Sequence, residues 1–330
     1  MSLPPVLLDR LRLPVVAAPL FLVSNPELVI AQCKAGVIGS FPALNARPQE
    51  ELEHWLARIE AELADYDRIH AQRPAAPFAV NQIVHRSNQR LEHDLEACVR
   101  HRVPIVITSL GARREVNDAV HAYGGVTLHD VINNTFARKA IEKGADGLIA
   151  VAAGAGGHAG VQSPFALIQE IRQWFDGPLL LSGAIAGGRS IIAAQAMGAD
   201  LAYIGSPFIA THEANASAKY KQMIVDATAQ DIVYSDFFTG VHGNYLRPSI
   251  VANGLDPDGL PASRAANLDL SKLQSGPKAW KDVWGCGQGI GAVDRVVATA
   301  ELVRRLSEEY VAGLQQIEDA VHNWRRKLSD

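Results

Sequence analysis

Residues 143–160 read Lys143-Gly-Ala-Asp-Gly-Leu-Ile-Ala-Val151, then Ala152-Ala-Gly154-Ala-Gly-Gly-His158-Ala-Gly160. The first half is a helix end, a glycine and a short apolar run of strand formers. Glycine just past a helix supplies the left-handed residue that ends it. The same joint recurs at Lys34-Ala-Gly-Val-Ile-Gly-Ser40, Tyr123-Gly-Gly-Val-Thr-Leu128 and Met197-Gly-Ala-Asp-Leu-Ala-Tyr-Ile204. A helix, a glycine and a buried strand in repetition mark stacked βα units.

Counting outward gives eight apolar strand-like runs, at residues 14–18, 37–41, 78–81, 105–109, 126–129, 148–152, 179–182 and 202–204. Helical patterns lie between them, at 26–35, 49–69, 88–101, 114–123, 135–143, 164–175 and 189–197. Asn25-Pro26 reads as a cap followed by proline, and Ser87 as the cap before the Leu91/Leu95/Val99 stripe. Eight alternations predict an α/β fold, a (β/α)8 TIM barrel, with a doubly wound sheet as the competing architecture. The pattern breaks after the eighth strand. A helical piece at 216–228 leads into a polar stretch punctuated by His242-Gly-Asn-Tyr245, Asn253-Gly, Asp256-Pro and Pro261. The expected division is a barrel from 1–210 and 286–330, with 211–285 inserted as a substrate-capping domain. A last helix from 291 to 306, running on toward 327, closes the chain.

The 330 residues suit a barrel with an insertion, and 48% apolar content supports a large core. A net charge of −4 without basic clusters excludes nucleic acid as an expected partner. Cys33, Cys98 and Cys286 have neither metal nor redox spacing, which predicts reduced thiols and a cytoplasmic setting. The apolar stretch from Leu13 to Val23 is broken by Pro14 and Pro19 and is too short to span a bilayer. It reads as a strand and its loop, not as a leader or a membrane segment. No metal-ligand spacing, nucleophile elbow or phosphate-binding P-loop is found.

Barrel chemistry collects at the C-terminal strand ends. These carry Ala18, Pro19 and Leu20 after the first strand, Asn81 after the third, Thr108 and Ser109 after the fourth, and His129 and Asp130 after the fifth. The loops after strands seven and eight hold Ser182, Gly183, Ala184, Gly205 and Ser206. Small residues there let backbone N–H groups reach a phosphate, and two such loops at the favoured pair of positions outweigh the reading as plain turns. His158 stands among Gly154, Gly156, Gly157 and Gly160. That backbone can pass close to a flat ligand, with the imidazole beside it to exchange a proton. A solvated loop histidine is the bland alternative, and glycine density with strand-end position weighs against it. The G-x-G-x-x-A match at 154–159 lacks the acid that a dinucleotide fingerprint places at the next strand end.

Taken together, these motifs resemble the nitronate monooxygenase family, formerly 2-nitropropane dioxygenases, with its enoyl-thioester reductase and NADH:quinone reductase relatives. The resemblance covers most of the chain. It rests on Ala18-Pro-Leu20, Val80-Asn81, Gly156-Gly-His158-Ala-Gly160, Leu181-Ser-Gly-Ala-Ile-Ala-Gly-Gly-Arg189, Met197 to Ser206, and Trp284-Gly-Cys-Gly-Gln-Gly-Ile-Gly291. It implies FMN at the barrel mouth. Ala18, Pro19 and Leu20 would lie beside the ring, Asn81 near its polar edge, and the phosphate on Gly183-Ala184 and Gly205-Ser206. His158 matches the family's catalytic histidine. The implied reaction is oxidation of alkyl nitronates by O2 to carbonyl compounds and nitrite. The alternative is NAD(P)H-dependent reduction of quinones or enoyl thioesters, and a non-redox phosphate-binding barrel is the reading from another class. A small-molecule substrate and O2 are the expected partners, with a homodimer left open. Two departures stand out: Leu128-His-Asp130 where reductase-like relatives carry a lysine, and the long insertion.

Overall fold

The computed structural model describes residues 3–262 and 279–329. Eight parallel strands form the expected barrel: β1 (Val15–Ala17), β2 (Gly39–Pro42), β3 (Phe78–Ile83), β4 (Ile105–Ser109), β5 (Val126–Val131), β6 (Gly147–Val151), β7 (Leu179–Ser182) and β8 (Leu201–Ile204). Each strand pairs with its sequence neighbours, and β8 returns to β1 through Val15↔Ala202. The last gap, between β1 and β2, closes through Ala17 N–H to Ile38 O at 2.8 Å and Ile38 N–H to Val15 O at 3.1 Å. A doubly wound sheet is thereby excluded.

The strands are apolar on both faces because both are covered. Alternate residues point inward. Val16, Ala79, Ile105, Ile107, Leu128, Ile149, Leu180 and Leu201 fill the interior, and Leu7 from the N-terminal turn Pro5–Leu7 packs among them. The other set, including Val15, Ala17, Leu148, Ala150, Leu179 and Leu181, packs against the helices. Asn25 accepts from Leu28 N–H at 2.9 Å and caps Pro26–Ala35 as expected.

Three of the boundaries that differ from expectation bear on the site or have an identifiable cause. The helix predicted from residue 88 begins at Leu91, and Ser87 does not cap it: its hydroxyl pairs with His85 Nδ1 at 2.8 Å. The final helix is Thr299–Ser329, not one beginning at 291, which lies in a 3-10 turn (Gln288–Ala292). The Glu213 carboxylate sets its start, accepting from Thr299 N–H at 2.9 Å and from the Thr299 hydroxyl at 2.8 Å. Finally, β5 continues to Val131, so His129 and Asp130 lie on the strand and not in the loop after it.

Part of the segment after β8, residues 263–278, lies outside the described residues. The rest folds back onto the barrel mouth. Ile232–Ser235 and Gly243–Leu246 form an antiparallel pair, and Gly243–Leu246 also pairs with Gly157–His158 through Gly243↔His158 and Asn244↔Gly157. Asn244 Nδ2 donates to Ala155 O at 2.6 Å, so the histidine loop is held as an edge strand. Cys33, Cys98 and Cys286 are free and buried. Among the described residues, no helix is long and apolar enough to cross a membrane.

Candidate active site

A cavity of about 1420 Å3 occupies the C-terminal mouth of the barrel. All twelve residues singled out from the sequence line it: Ala18, Pro19, Leu20, Asn81, Gly156, Gly157, His158, Ser182, Gly183, Ala184, Gly205 and Ser206. Inward alternation explains much of this set. One step beyond the buried residues Val16, Ala79, Ile107, Leu128 and Leu180 come Ala18, Asn81, Ser109, Asp130 and Ser182, where the interior opens.

Three of these form a chain across β3, β4 and β5. Asn81 Nδ2 donates to Ile107 O at 3.1 Å and to Ser109 Oγ at 2.7 Å. Ser109 in turn donates to Asp130 Oδ2 at 2.5 Å. Both Asn81 donors are spent, which leaves its carbonyl oxygen as an acceptor. Asp130 is half-buried, and its enclosed Oδ1 has no hydrogen-bond partner among the described residues. Burial lifts its carboxyl to about 6, against the lowering effect of the Ser109 hydrogen bond. His129 has the opposite orientation. It is buried, its Nδ1 lies 2.6 Å from Thr108 Oγ1, and desolvation lowers it to about 4. Asp130, absent from the set of twelve, is therefore the β5 residue whose carboxylate turns inward, and His129 borders the same cavity.

His158 is held from the far side of the chain. Its Nε2 is 2.9 Å from Thr239 Oγ1. With the Thr239 hydroxyl proton directed at Val241 O, 3.0 Å away, the imidazole is the donor to Thr239 Oγ1. This assigns the Nε2–H tautomer and leaves the Nδ1 lone pair available. Trp280 stands edge-on to the imidazole at 5.6 Å and stacks on buried Tyr245 at 5.1 Å. Desolvation lowers His158 to about 4, so the ring is neutral at pH 7. Thr239 and Trp280 carried no sequence signal of this role. His242 also lines the cavity and stacks on Tyr234 at 5.0 Å, while Tyr245 backs Trp280.

The small residues have separate causes. Gly183 has φ +148°, and a Cβ there would lie 2.8 Å from Ala153 O. Ala184 N–H donates to Gly154 O at 3.2 Å, and Ser206 Oγ accepts from Gly287 N–H at 2.8 Å. A Cβ on Gly156 would meet Gly287 N at 2.8 Å, and one on Gly157 the Trp280 ring at 3.5 Å. The glycines of the His158 loop thus admit the Cys286-Gly287 segment and Trp280 as close neighbours. Among the described residues, no cluster of metal-ligating side chains occurs.

A family model described as nitronate monooxygenase matches residues 6–309. A nitronate monooxygenase of Paraburkholderia phytofirmans is 25% identical over 350 residues, covering 92% of this chain and 94% of its own. A hydroxy-methyl-oxo-octahydro-indene-carboxyl-CoA dehydrogenase of Rhodococcus jostii is 26% identical over 263 residues, covering 79% and 70%. Among solved structures, a nitroalkane oxidase of Streptomyces ansochromogenes superposes with a TM-score of 0.77 at 23% identity, covering 94% and 99%.

Proposed function

The chain belongs to the nitronate monooxygenase family and is an oxidoreductase; on that premise we propose that it binds FMN and oxidises alkyl nitronates with O2 to carbonyl compounds and nitrite. The observation that carries this reading is convergence: two small-residue loops, a polar column on three strand ends and a desolvated histidine all border one cavity. The residues fit a flavin. Ser182-Gly183-Ala184 and Gly205-Ser206 present a wall without bulky side chains. With the Ala184 N–H engaged within the protein, the phosphate donors in this reading are the N–H groups of Gly183, Gly205 and Ser206 and the Ser206 hydroxyl, whose oxygen accepts from Gly287 N–H while its own proton stays available. Asn81 Oδ1 and Asp130 Oδ1, which has no hydrogen-bond partner among the described residues, supply hydrogen-bonding atoms for a polar ring edge, with Ala18, Pro19 and Leu20 as the apolar side. Bound there, FMN supplies the redox step and the reaction with O2.

The chain's own residues bind and orient. In the free site His158 is neutral, with Nε2–H given to Thr239. An anionic nitronate draws a proton onto Nδ1, because an opposite charge in a desolvated pocket favours the imidazolium. The nitro group then lies against Nδ1–H while Thr239 satisfies Nε2–H. Trp280 and the Gly243–Leu246 strand exclude water from that pair, which strengthens it. The described residues of the 211–285 segment form the substrate side in this reading.

The test begins with the visible spectrum of the purified protein, followed by O2 uptake with propyl-2-nitronate in the absence of NADH. The expected result is a flavin spectrum, uptake with nitrite release, and loss of turnover in His158→Asn. A protein that stays colourless after FMN is added overturns the reading. Rapid anaerobic bleaching of the flavin by NADH would replace it with the quinone or enoyl-thioester reductase.

A further inference from the structure

The helix Thr299–Ser329 begins on the barrel and outgrows it. Leu302, Val303 and Leu306 are buried, Tyr310 donates to Gln195 Oε1 at 2.7 Å, and Gly313 packs on Ile192. From Leu314 to Arg325 every residue is exposed. A solvated helix of this length is marginal by itself. Yet it carries Leu314, Ile317, Val321 and Trp324, exposed by 37, 46, 41 and 62%. Their spacing of three, four and three places them within about 80° of one another on the helix surface, as a coiled-coil seam requires.

The flanking charges choose the occupant and its direction. Glu318 follows Ile317 and Arg325 follows Trp324, so both lie on one edge of the seam. Gly313 and Ala320 lie on the other. Two parallel copies would set Glu318 and Arg325 against this glycine and alanine, with no complementary charge. Two antiparallel copies bring like edges together. Glu318 of each then meets Arg325 of the other, and Val321 layers on Trp324 twice about the two-fold axis. We propose that two copies of this chain associate by antiparallel pairing of this helix seam. The seam spans about 16 Å, so the dimer is concentration-dependent rather than obligate. The inference is independent of the reaction catalysed.

Sedimentation equilibrium of the holoprotein across the micromolar range tests it. Wild type forms a dimer. Val321→Asp weakens it about a hundredfold, since each dimer loses two buried valines and gains two charges. Glu318→Arg weakens it about tenfold by making both edges basic. A mixture of the Glu318→Arg and Arg325→Glu proteins forms a mixed dimer tighter than either protein alone. Thermal unfolding and turnover unchanged in each variant establish an intact barrel. A wild-type monomer throughout, or a dimer indifferent to Val321→Asp or to Glu318→Arg, overturns the proposal. So does a monomer that binds anionic phospholipid vesicles through Val321, which would assign the seam to a membrane surface.

Discussion

Replacing Thr239 by valine keeps the side chain's shape and removes one acceptor. In the folded protein Thr239 Oγ1 lies 2.9 Å from His158 Nε2 and sends its own proton to Val241 O. A hydrogen bond from a neutral N–H contributes about 0.5–1.5 kcal/mol, and one from an imidazolium about 1.5–3 kcal/mol. The variant therefore loses about 1–1.5 kcal/mol more in the nitronate complex than in the free site, which predicts about tenfold weaker nitronate binding. It also lowers the imidazole pKa in the complex by about one unit, because the charged form loses its acceptor. The assay is an anaerobic titration of the flavin spectrum with propyl-2-nitronate at several pH values, alongside O2-uptake kinetics. Thr239→Ser retains the hydroxyl and recovers most of the affinity. If Thr239→Val binds the nitronate as wild type does, with the same pH dependence, the assignment of the Nε2–H tautomer and its role is refuted.

Further outcomes follow from the same geometry. Free His158 is held down at about 4 by burial; if nitronate is the ligand, as proposed, its binding takes up one proton, and affinity then falls by up to about tenfold per pH unit above that value, until the imidazole pKa of the complex is passed. A dissociation constant flat with pH would sink the proton uptake. Asp130, raised to about 6 from its unfolded 3.8, binds more protons folded than unfolded between those values, so its contribution to stability is lost as pH rises through that window. Asp130→Asn, which still accepts from Ser109, should raise the thermal midpoint of the apoprotein at pH 8 and leave it nearly unchanged at pH 4. Gly183→Ala forces a Cβ against the Ala153 carbonyl in a backbone region that alanine disfavours; a cost of about 2 kcal/mol and reduced FMN content in the purified protein are expected.

Much of the barrel was legible because its signals are local. The runs at 105–109 and 179–182 coincide with Ile105–Ser109 and Leu179–Ser182, and the glycine joints at Gly36 and Gly198 have φ of +94° and +113°. The misreadings are capping and loop rules that lost to competing side-chain partners, one a near neighbour and the others on adjacent strands. Ser87 was the better cap by type, but His85 took its hydroxyl. The polar pair His129-Asp130 resembled a loop, yet each polar group finds its place on a strand: His129 beside Thr108, Asp130 beneath Ser109. Strict alternation from Leu128 would have pointed to Asp130 as the inward residue.

By itself the sequence determined the repeated βα units, the strands buried on both faces and the loops that border the mouth. Those follow from apolar period, glycine conformation and capping, each confined to a few neighbouring residues. Only the tertiary structure decided what surrounds His158. Its acceptor, Thr239, is 81 residues away, and Trp280 reaches it from beyond the Gly243–Leu246 strand. No local pattern encodes that meeting. It depends on the register of two antiparallel strands, Gly243↔His158 and Asn244↔Gly157, and register is set by long-range hydrogen bonds that form only once the barrel has brought those segments together.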